Sequence, residues 1–180
     1  RVSERIITAL GYPVIRHILN SSGIERFPEA QFDMVRLGIG LYGISNTGLP
    51  LQTISRLKSV VSQVKEVAPD ETIGYGRKGR IHKKSLIAVV PLGYADGLDR
   101  KLGNGNGVAF INGDRVPIIG NICMDMLMLD VTGIQVKPGD EVEFFGTHIS
   151  ISEVAEKVGT IPYEILTGIS QRVKRVYIHE

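Results

Sequence analysis

The segment GVAFINGDRVPIIG, residues 107–120, indicates most directly how this chain folds. Two runs that contain β-branched and aromatic residues flank the dipeptide Asn112-Gly113. This dipeptide suits a two-residue turn in which both central residues take positive φ. The segment therefore predicts a β-hairpin, the basic unit of an antiparallel sheet.

The sequence around this hairpin has the same character. RLKSVVSQVKEV (56–67) alternates polar and apolar residues, and SLIAVVPLGY (85–94) is apolar enough for a buried strand. VKPGDEVEFFG (136–146) predicts a second hairpin around its Pro-Gly turn, and QRVKRVYI (171–178) predicts a basic edge strand. Short strands with closely spaced turn signals predict a mainly β domain over residues 46–180, built as an antiparallel β-barrel or sandwich.

Three segments have helical patterns instead. Residues 1–10 carry helix-like apolar spacing, which a glycine and a proline bring to an end. Ser150 and Glu153 have the spacing of a capping box and predict a short helix after residue 150. IPYEILTGI (161–169) predicts a further helix.

Residues 1–45 predict only part of a domain. VIRHILNSS (14–22) and FDMVRLGIGLYG (32–43) are short, largely apolar runs typical of parallel strands that are buried on both faces. Two parallel strands cannot cover themselves, so we expect a remnant of an α/β layer. The chain also begins within a helical pattern, which predicts a fragment of a longer protein.

Composition and charge narrow the classes of function. The chain has 180 residues, 43% of them hydrophobic, and a formal net charge of +2. This charge and the lack of a dense basic run argue against nucleic acid as a partner. The single Cys123 cannot form an internal disulfide, and no signal peptide or long apolar span is present, so we expect a cytoplasmic protein outside the membrane. The four histidines are scattered, so no metal site is predicted.

The glycine-rich segment GNGNG (103–107) is only superficially similar to a phosphate-binding loop. It lacks the preceding strand, the following helix and the Gly-Lys-Ser/Thr ending that such a loop requires. It belongs to a longer irregular stretch, residues 97–107, and loops of that length are typical of sites and interfaces.

Tyr75 stands between two glycines in ETIGYGRKGR (71–80). The glycines allow backbone angles that project the ring away from its own sheet. Arg77, Lys78 and Arg80 follow closely, and nearby cations favour the phenolate form that a general base needs. The alternative is a turn residue whose ring packs on apolar neighbours. The local sequence leaves both interpretations open.

Other polar groups stand at the ends of predicted strands, in MVRLGIGLYG, PLGYADGLDR and NICMDM. Arg36 lies within an apolar run, so its guanidinium must be paired in a buried salt bridge or must face a ligand. Backbone N–H groups of Gly38 and Ile39, together with a hydroxyl such as Ser21, have the chemistry to hold a phosphate without a lysine.

These motifs, in this order, resemble the C-terminal part of bacterial alanine racemases, which depend on pyridoxal phosphate. The matching segments cover nearly the whole chain: HILNSS, ERFPEAQFDMVRLGIGLYG, IGYGR, PLGYADG, VPIIGNICMDM, VKPGDEVEFFG and IPYEILTGISQRVKR. The resemblance implies that residues 1–45 are the remnant of a cofactor-binding (β/α)8 barrel and residues 46–180 the C-terminal β domain. The family's Schiff-base lysine lies in an early VKADAYGHG-like motif that this sequence lacks. We therefore expect this fragment alone to be inactive and not to bind pyridoxal 5'-phosphate covalently.

The resemblance also implies a reaction and an assembly. The family interconverts L- and D-alanine as a cytoplasmic homodimer and supplies D-alanine for peptidoglycan. Tyr75 matches the catalytic tyrosine, which reaches into the other subunit's site and serves one face of the substrate carbon, while the lysine serves the opposite face. One base removes the α-proton and the other returns a proton from the far side, which inverts the configuration.

The remaining matches concern cofactor and substrate. Arg36 matches the arginine that faces the pyridine nitrogen, and because arginine stays protonated it keeps that nitrogen unprotonated and weakens the electron sink. His17 matches a histidine that is hydrogen-bonded to this arginine. The family's phosphate contacts are matched by Ser21, Gly38 and Ile39. Tyr94 matches a tyrosine at the entrance of the site, and Asp125 matches a carboxylate there. Met124 matches the residue whose backbone amide meets the substrate carboxylate. Gln171 stands where some family members have a phosphate-binding tyrosine, so its role is left open.

Two other functions fit parts of the same pattern. One is a non-catalytic β module for interaction or assembly, but such a module has no reason to keep Tyr75, Arg36 and Met124 together. The other is a related racemase that acts on serine or another amino acid. The width of the pocket decides between amino acids, and one methyl-sized change shifts discrimination by only about 1–3 kcal/mol.

Overall fold

The computed structural model describes residues 2–178. The chain forms two compact units, of which the first ends at Ile54 and the second begins at Ser55. None of the described helices is long and apolar enough to cross a bilayer. Within the same residues, no group of three or more histidine, cysteine or acidic side chains is placed to hold a metal ion.

The first unit contains short helices joined by extended segments. Helix α1 (Val2–Leu10) confirms the helical prediction for residues 2–10. Helix α2 (Ser21–Arg26) begins where the Oδ1 atom of Asn20 accepts the N–H of Gly23 at 3.0 Å. Two 3-10 turns follow, at Pro28–Ala30 and Ile39–Tyr42.

The prediction of two parallel strands in this unit was wrong. No strand is formed in residues 14–22 or 32–43, and residues 21–26 are helical. Two backbone hydrogen bonds still join the extended segments, from Asp33 N–H to the Arg16 carbonyl at 3.2 Å and from Arg36 N–H to the Leu19 carbonyl at 2.9 Å. The segments therefore lie side by side without a regular ladder, because no further described strand flanks them.

The second unit contains all nine described strands: β1 (Leu57–Val60), β2 (Gln63–Val67), β3 (Thr72–Ile73), β4 (Gly79–Arg80), β5 (Ser85–Val90), β6 (Val108–Ile111), β7 (Asp114–Ile119), β8 (Leu127–Asp130) and β9 (Glu141–Phe145). Seven of them form one sheet in the order β1-β9-β6-β7-β8-β5-β2, and β3 pairs with β4 separately. Every pairing is antiparallel. The predicted mainly β antiparallel class is thereby confirmed.

The hairpin of β6 and β7 forms as predicted. Asn112 has φ 49° and Gly113 has φ 98°, as the two central residues of this turn require. The second predicted hairpin was wrong. Gly139 N–H donates to the Val61 carbonyl at 2.8 Å, and Val61 N–H donates to the Asp140 carbonyl at 2.9 Å, so the turn leads into β9 beside β1.

Two other strand predictions change as well. The predicted single strand over residues 56–67 is divided into β1 and β2, which pair with different neighbours. Residues 171–178 form no strand. The Arg175 side chain instead folds back along the chain, and its guanidinium donates to the Val173 carbonyl at 2.6 Å and the Ile169 carbonyl at 2.8 Å.

Both predicted helices near the end are present. Helix α3 (Ile151–Val158) is capped by Ser150, whose hydroxyl accepts the N–H of Glu153 at 3.1 Å. Helix α4 (Pro162–Gly168) follows it. Shorter 3-10 turns occupy the loops of this unit, at Tyr75–Arg77, Tyr94–Asp96 and Arg100–Leu102. Helix α3 contacts α4 and the turn at Arg100–Leu102. The most deeply buried side chains of this unit include Ala88, Ile111, Leu127, Leu129 and Val142.

Candidate functional site

The predicted phosphate contacts lie together in the first unit. The hydroxyl oxygen of Ser21, which is 2% exposed, accepts the N–H groups of Gly38 at 2.9 Å and Gly40 at 3.2 Å. The N–H of Ile39 opens the next 3-10 turn, so it has no partner within that turn. The sequence prediction that Ser21, Gly38 and Ile39 adjoin one another is therefore consistent with the structure, although their ligand remains a prediction.

Arg36 is on the neighbouring extended segment and is exposed. Its Nη2 atom donates to the Ile18 carbonyl at 2.9 Å, and its backbone N–H donates to the Leu19 carbonyl. These bonds fix the guanidinium beside the segment that carries His17. No hydrogen bond joins His17 to Arg36 within the described residues, so that predicted contact stays a prediction.

Tyr75 lies in the turn that joins β3 to β4, and its side chain does not pack into the core. Its exposed fraction is 76%. Gly74 has φ 74° and ψ −179°, and Gly76 has φ 69°, backbone angles that favour glycine. A Cβ atom on Gly74 would also lie 2.9 Å from the Met128 side chain. The two glycines therefore allow the tyrosine to project outward, and the alternative of a ring packed on apolar neighbours is not what the structure shows.

The turn is tied down at two points. Asn121 Nδ2 donates to the carbonyl of Tyr75 at 2.8 Å. Arg77, one of the three cations near the tyrosine, donates from Nε to the Thr72 hydroxyl at 3.1 Å. The Asn121 contact was not evident from the sequence, because Asn121 is 46 residues away from Tyr75.

Tyr94 and Met124 lie on two loops that meet by their backbones. Tyr94 N–H donates to the Cys123 carbonyl and Ala95 N–H to the Met124 carbonyl, both at 3.0 Å. A Cβ atom at Gly93 would lie 2.2 Å from the Met124 carbonyl oxygen, so only glycine permits this approach. The two side chains are partly exposed, Tyr94 by 42% and Met124 by 53%. The predicted substrate-side residues are thus brought together.

A residue that the sequence did not single out links these loops. Arg172 Nε contacts Asp96 Oδ1 at 2.6 Å, and Arg172 Nη2 contacts Asp125 Oδ1 at 2.5 Å. Asp96 also accepts the N–H of Gly93 at 2.8 Å. The arginine therefore clamps the Tyr94 turn to the loop that carries Met124. Arg172 and Asp96 are 76 residues apart, so no local pattern could have predicted the pair.

The clamp shifts the pKa values of Asp96 and Arg172. Burial alone raises the pKa of Asp96, but the hydrogen bonds from Arg172 and Gly93 and the positive charge outweigh it and hold that pKa below its ordinary value. The hydrogen bonds to Asp96 and Asp125 raise the pKa of Arg172. Gln171, next to this arginine, is exposed, and its role stays a prediction.

The chain matches known proteins along almost its whole length. The family model for the C-terminal domain of alanine racemase matches residues 54–177, and the model for the N-terminal domain matches residues 1–46. Among curated proteins, the alanine racemase of Sorangium cellulosum is 43% identical over 92% of this chain and 46% of its own length. That of Carboxydothermus hydrogenoformans is 47% identical over 91% of this chain and 47% of its own length.

Solved structures give the same result. The alanine racemase of Clostridium difficile 630, in complex with cycloserine, superposes with a TM-score of 0.91 at 38% identity, covering 98% of this chain and 48% of that one. The alanine racemase of Bartonella henselae, with covalently bound pyridoxal phosphate, gives a TM-score of 0.88 at 33% identity, covering 98% and 50%. The chain thus spans about half the length of the relatives that it matches.

Proposed function

Since the chain belongs to the alanine racemase family and corresponds to the C-terminal portion of such a protein, we propose that it supplies one acid/base group and part of the substrate site of an enzyme that interconverts L- and D-alanine. Residues 1–45 belong in this proposal to the cofactor-binding barrel and residues 46–180 to the β domain. The enzyme acts as a cytoplasmic homodimer and provides D-alanine for peptidoglycan.

The observation that carries the proposal is the outward projection of Tyr75. A tyrosine that is 76% exposed, between two glycines with positive φ, contributes little to the core of its own unit. Its phenol is therefore free to meet a substrate held outside that unit. This is the arrangement that a composite site between two subunits needs.

The first unit fits a phosphate-bearing cofactor. Ser21 accepts two N–H groups at its oxygen, so its own hydroxyl proton remains available to a phosphate oxygen. The N–H of Ile39 adds a second donor, and Arg36 presents a guanidinium that is always charged. Ser21 and the N–H of Ile39 would hold the phosphate group of pyridoxal 5'-phosphate, with the N–H of Gly38 fixing the Ser21 oxygen. Arg36 would face the nitrogen of its ring, and His17 would support Arg36.

Pyridoxal 5'-phosphate, when bound, would withdraw electrons from the substrate α-carbon. The residues of this chain then handle the proton and the substrate. The phenolic oxygen of Tyr75 accepts the α-proton in one direction and donates a proton in the other, on a single face of the carbon. A second base must serve the opposite face, and the family motif that would supply its lysine is not in this sequence.

The substrate side of the site is formed by the clamped loops. The backbone N–H of Met124 has no acceptor among the described residues, so it can donate to the alanine carboxylate. Asp125 and Tyr94 flank the entrance, with the Arg100 guanidinium 5.9 Å from the centre of the Tyr94 ring. Binding the carboxylate at a fixed point orients the α-hydrogen toward Tyr75.

The test uses the full-length protein loaded with pyridoxal 5'-phosphate. Tyr75→Phe removes the proton-transfer group and keeps the ring, so we expect kcat for racemisation to fall about 10³-fold, within the range for general acid/base catalysis. Exchange of the α-proton with D₂O, followed by NMR, is expected to be lost mainly from one enantiomer. Tyr177→Phe, which removes another exposed phenolic hydroxyl, is the matched control.

Two results would contradict the proposal. In one, the wild-type protein binds the cofactor but racemises no alanine, which would rule out the proposed reaction. In the other, Tyr75→Phe slows exchange from both enantiomers equally or not at all, which would rule out Tyr75 as the base for one face. A higher kcat/KM for serine than for alanine would change the substrate and keep the mechanism.

A further inference from the structure

The glycine-rich loop GNGNG, to which the proposed function gives no role, is connected to Tyr75 through two side-chain amides. Asn104 Nδ2 donates to Asn121 Oδ1 at 3.0 Å, and Asn121 Nδ2 donates to the Tyr75 carbonyl at 2.8 Å. We propose that this pair, the Asn104–Asn121 relay, is a positioning device that fixes the direction in which Tyr75 projects. The inference rests on the proposed role of Tyr75 as acid/base.

The other hydrogen bonds of the turn are made by Arg77, whose Nε donates to the Thr72 hydroxyl at 3.1 Å and whose N–H donates to the Gly74 carbonyl at 3.2 Å, so they do not act on the Tyr75 carbonyl. Strands β3 and β4 pair through only two residue pairs, Thr72 with Arg80 and Ile73 with Gly79. Between them, glycines on both sides of Tyr75 widen the range of backbone angles. The exposed ring has few packing contacts that could select one orientation. A hydrogen bond to the Tyr75 carbonyl acts directly on the peptide that sets the Cα–Cβ direction.

The composition of the loop explains how Asn104 reaches Asn121. Asn104 N–H donates to the Gly120 carbonyl and Gly105 N–H to the Ile118 carbonyl, both at 2.8 Å, so the loop docks on the end of β7. A Cβ atom at Gly103 would lie 2.9 Å from the Gly120 carbonyl oxygen. Glycine is therefore needed for close approach between two backbones, and that approach places the Asn104 amide beside Asn121.

The relay has a direction. A side-chain amide donates from one side and accepts on the other. Because Asn104 donates to the oxygen of Asn121, the nitrogen of Asn121 is turned toward the Tyr75 carbonyl. An aspartate at position 104 would accept instead, which would turn the Asn121 amide over and place its oxygen against that carbonyl. The change in hydrogen bonding caused by Asn104→Asp therefore reaches Tyr75 through Asn121.

The loop also supplies a matched control. Asn106 is exposed and follows Asn104 by two residues, but its Nδ2 donates to the carbonyls of Lys101 at 2.8 Å and Lys157 at 2.9 Å. These contacts lead to the Arg100–Leu102 turn and to α3, and not to Tyr75. Asn106→Asp therefore makes the same chemical change in the same loop without touching the relay.

The experiment compares Asn121→Ala, Asn104→Asp and Asn106→Asp in the full-length enzyme with its cofactor. We expect the first two to lower kcat about five- to ten-fold, the effect of losing one hydrogen bond, and to weaken α-proton exchange mainly from the enantiomer that Tyr75→Phe affects. Asn106→Asp is expected to leave both unchanged. Combined with Tyr75→Phe, neither relay variant should lower kcat further, because the relay acts through the phenol.

A second measurement does not depend on activity. Deuterium uptake by the peptide that contains residues 74–77 is expected to rise in Asn121→Ala and Asn104→Asp and not in Asn106→Asp. If Asn121→Ala does not fold, Asn104→Asp in its exposed loop gives both measurements. The inference is overturned if relay variants multiply the loss caused by Tyr75→Phe, or if uptake is unchanged. If the wild type does not racemise alanine, the proposed function fails, and uptake alone decides the relay.

Discussion

The two units of the chain differ in how far their apolar side chains are buried. Up to Ile54, the described hydrophobic residues that are buried are Leu19, Ile39 and Ile44. Many large ones remain exposed in the same unit, among them Ile6, Leu10, Ile15, Phe32, Leu37 and Leu41. From Ser55 onward, every strand of the seven-stranded sheet contributes at least one buried hydrophobic residue.

This difference in burial indicates which unit is stabilised by a core of its own. The second unit buries what its pattern predicts, because its own elements cover one another's apolar residues. The first unit has an equally apolar pattern, but an extended layer of this kind is stable only when another layer covers it. We therefore expect the cooperative stability of the described chain to reside mainly in the second unit.

The largest expected effect comes from one substitution made in both units. Leu129→Ala truncates a fully buried side chain on β8, so we expect the free energy of unfolding to fall by about 3 kcal/mol or more. Leu10→Ala truncates a side chain on α1 that is 42% exposed, so we expect a loss below about 1 kcal/mol. Urea unfolding followed by circular dichroism measures both. Equal losses would contradict the expected difference between the units.

The features that the sequence predicted correctly are local ones. Asn112-Gly113 specifies its turn through the φ values of two adjacent residues. Ser150 specifies a helix start through a hydrogen bond to a residue three positions away. The resemblance to a family extended the prediction to residues such as Tyr75 and Met124. Their motifs occur in the same order as in the family, although the residues that they contact are distant in the sequence.

The features that the sequence did not predict depend on tertiary contact. The Arg172 clamp and the Asn104–Asn121 relay join residues that are far apart in the chain. Strand β8 was not predicted because its residues follow directly on a motif that suggested a site. The predicted edge strand over residues 171–178 is not formed, and the Arg175 guanidinium there donates to the nearby Val173 and Ile169 carbonyls.

An intermediate effect is expected from two arginine–aspartate pairs, one in each unit. Arg172→Ala leaves Asp96 nearly buried without its cation, so we expect the urea midpoint to fall, though by less than for Leu129→Ala because solvent reaches the guanidinium. Arg16→Ala removes the bond that lowers the pKa of Asp33 to about 2, but both groups are exposed, so we expect the midpoint to stay unchanged.

The effect of Arg172 should depend on pH in a defined direction. The folded-state pKa of Asp96 lies below its ordinary value, so its contribution to stability is present above about pH 4 and is lost as the pH falls through that lowered pKa. The difference in urea midpoint between wild type and Arg172→Ala is therefore expected to shrink as the pH falls below about 4. A difference that stays constant as the pH is lowered would show that Arg172 stabilises the loops by packing and not by charge.

The smallest expected effect concerns two equivalent helix caps. Ser150→Ala removes the bond to the N–H of Glu153, and because α3 buries four residues, we expect a loss of about 1 kcal/mol in global stability. Asn20→Ala removes the matching bond to Gly23 in the first unit, where α2 buries only Ser21. Its loss should therefore appear as faster local amide exchange in residues 21–26, with the urea midpoint unchanged. An equal shift of the midpoint by both variants would show that the two units unfold in one cooperative transition, and it would contradict the expected difference in their stability.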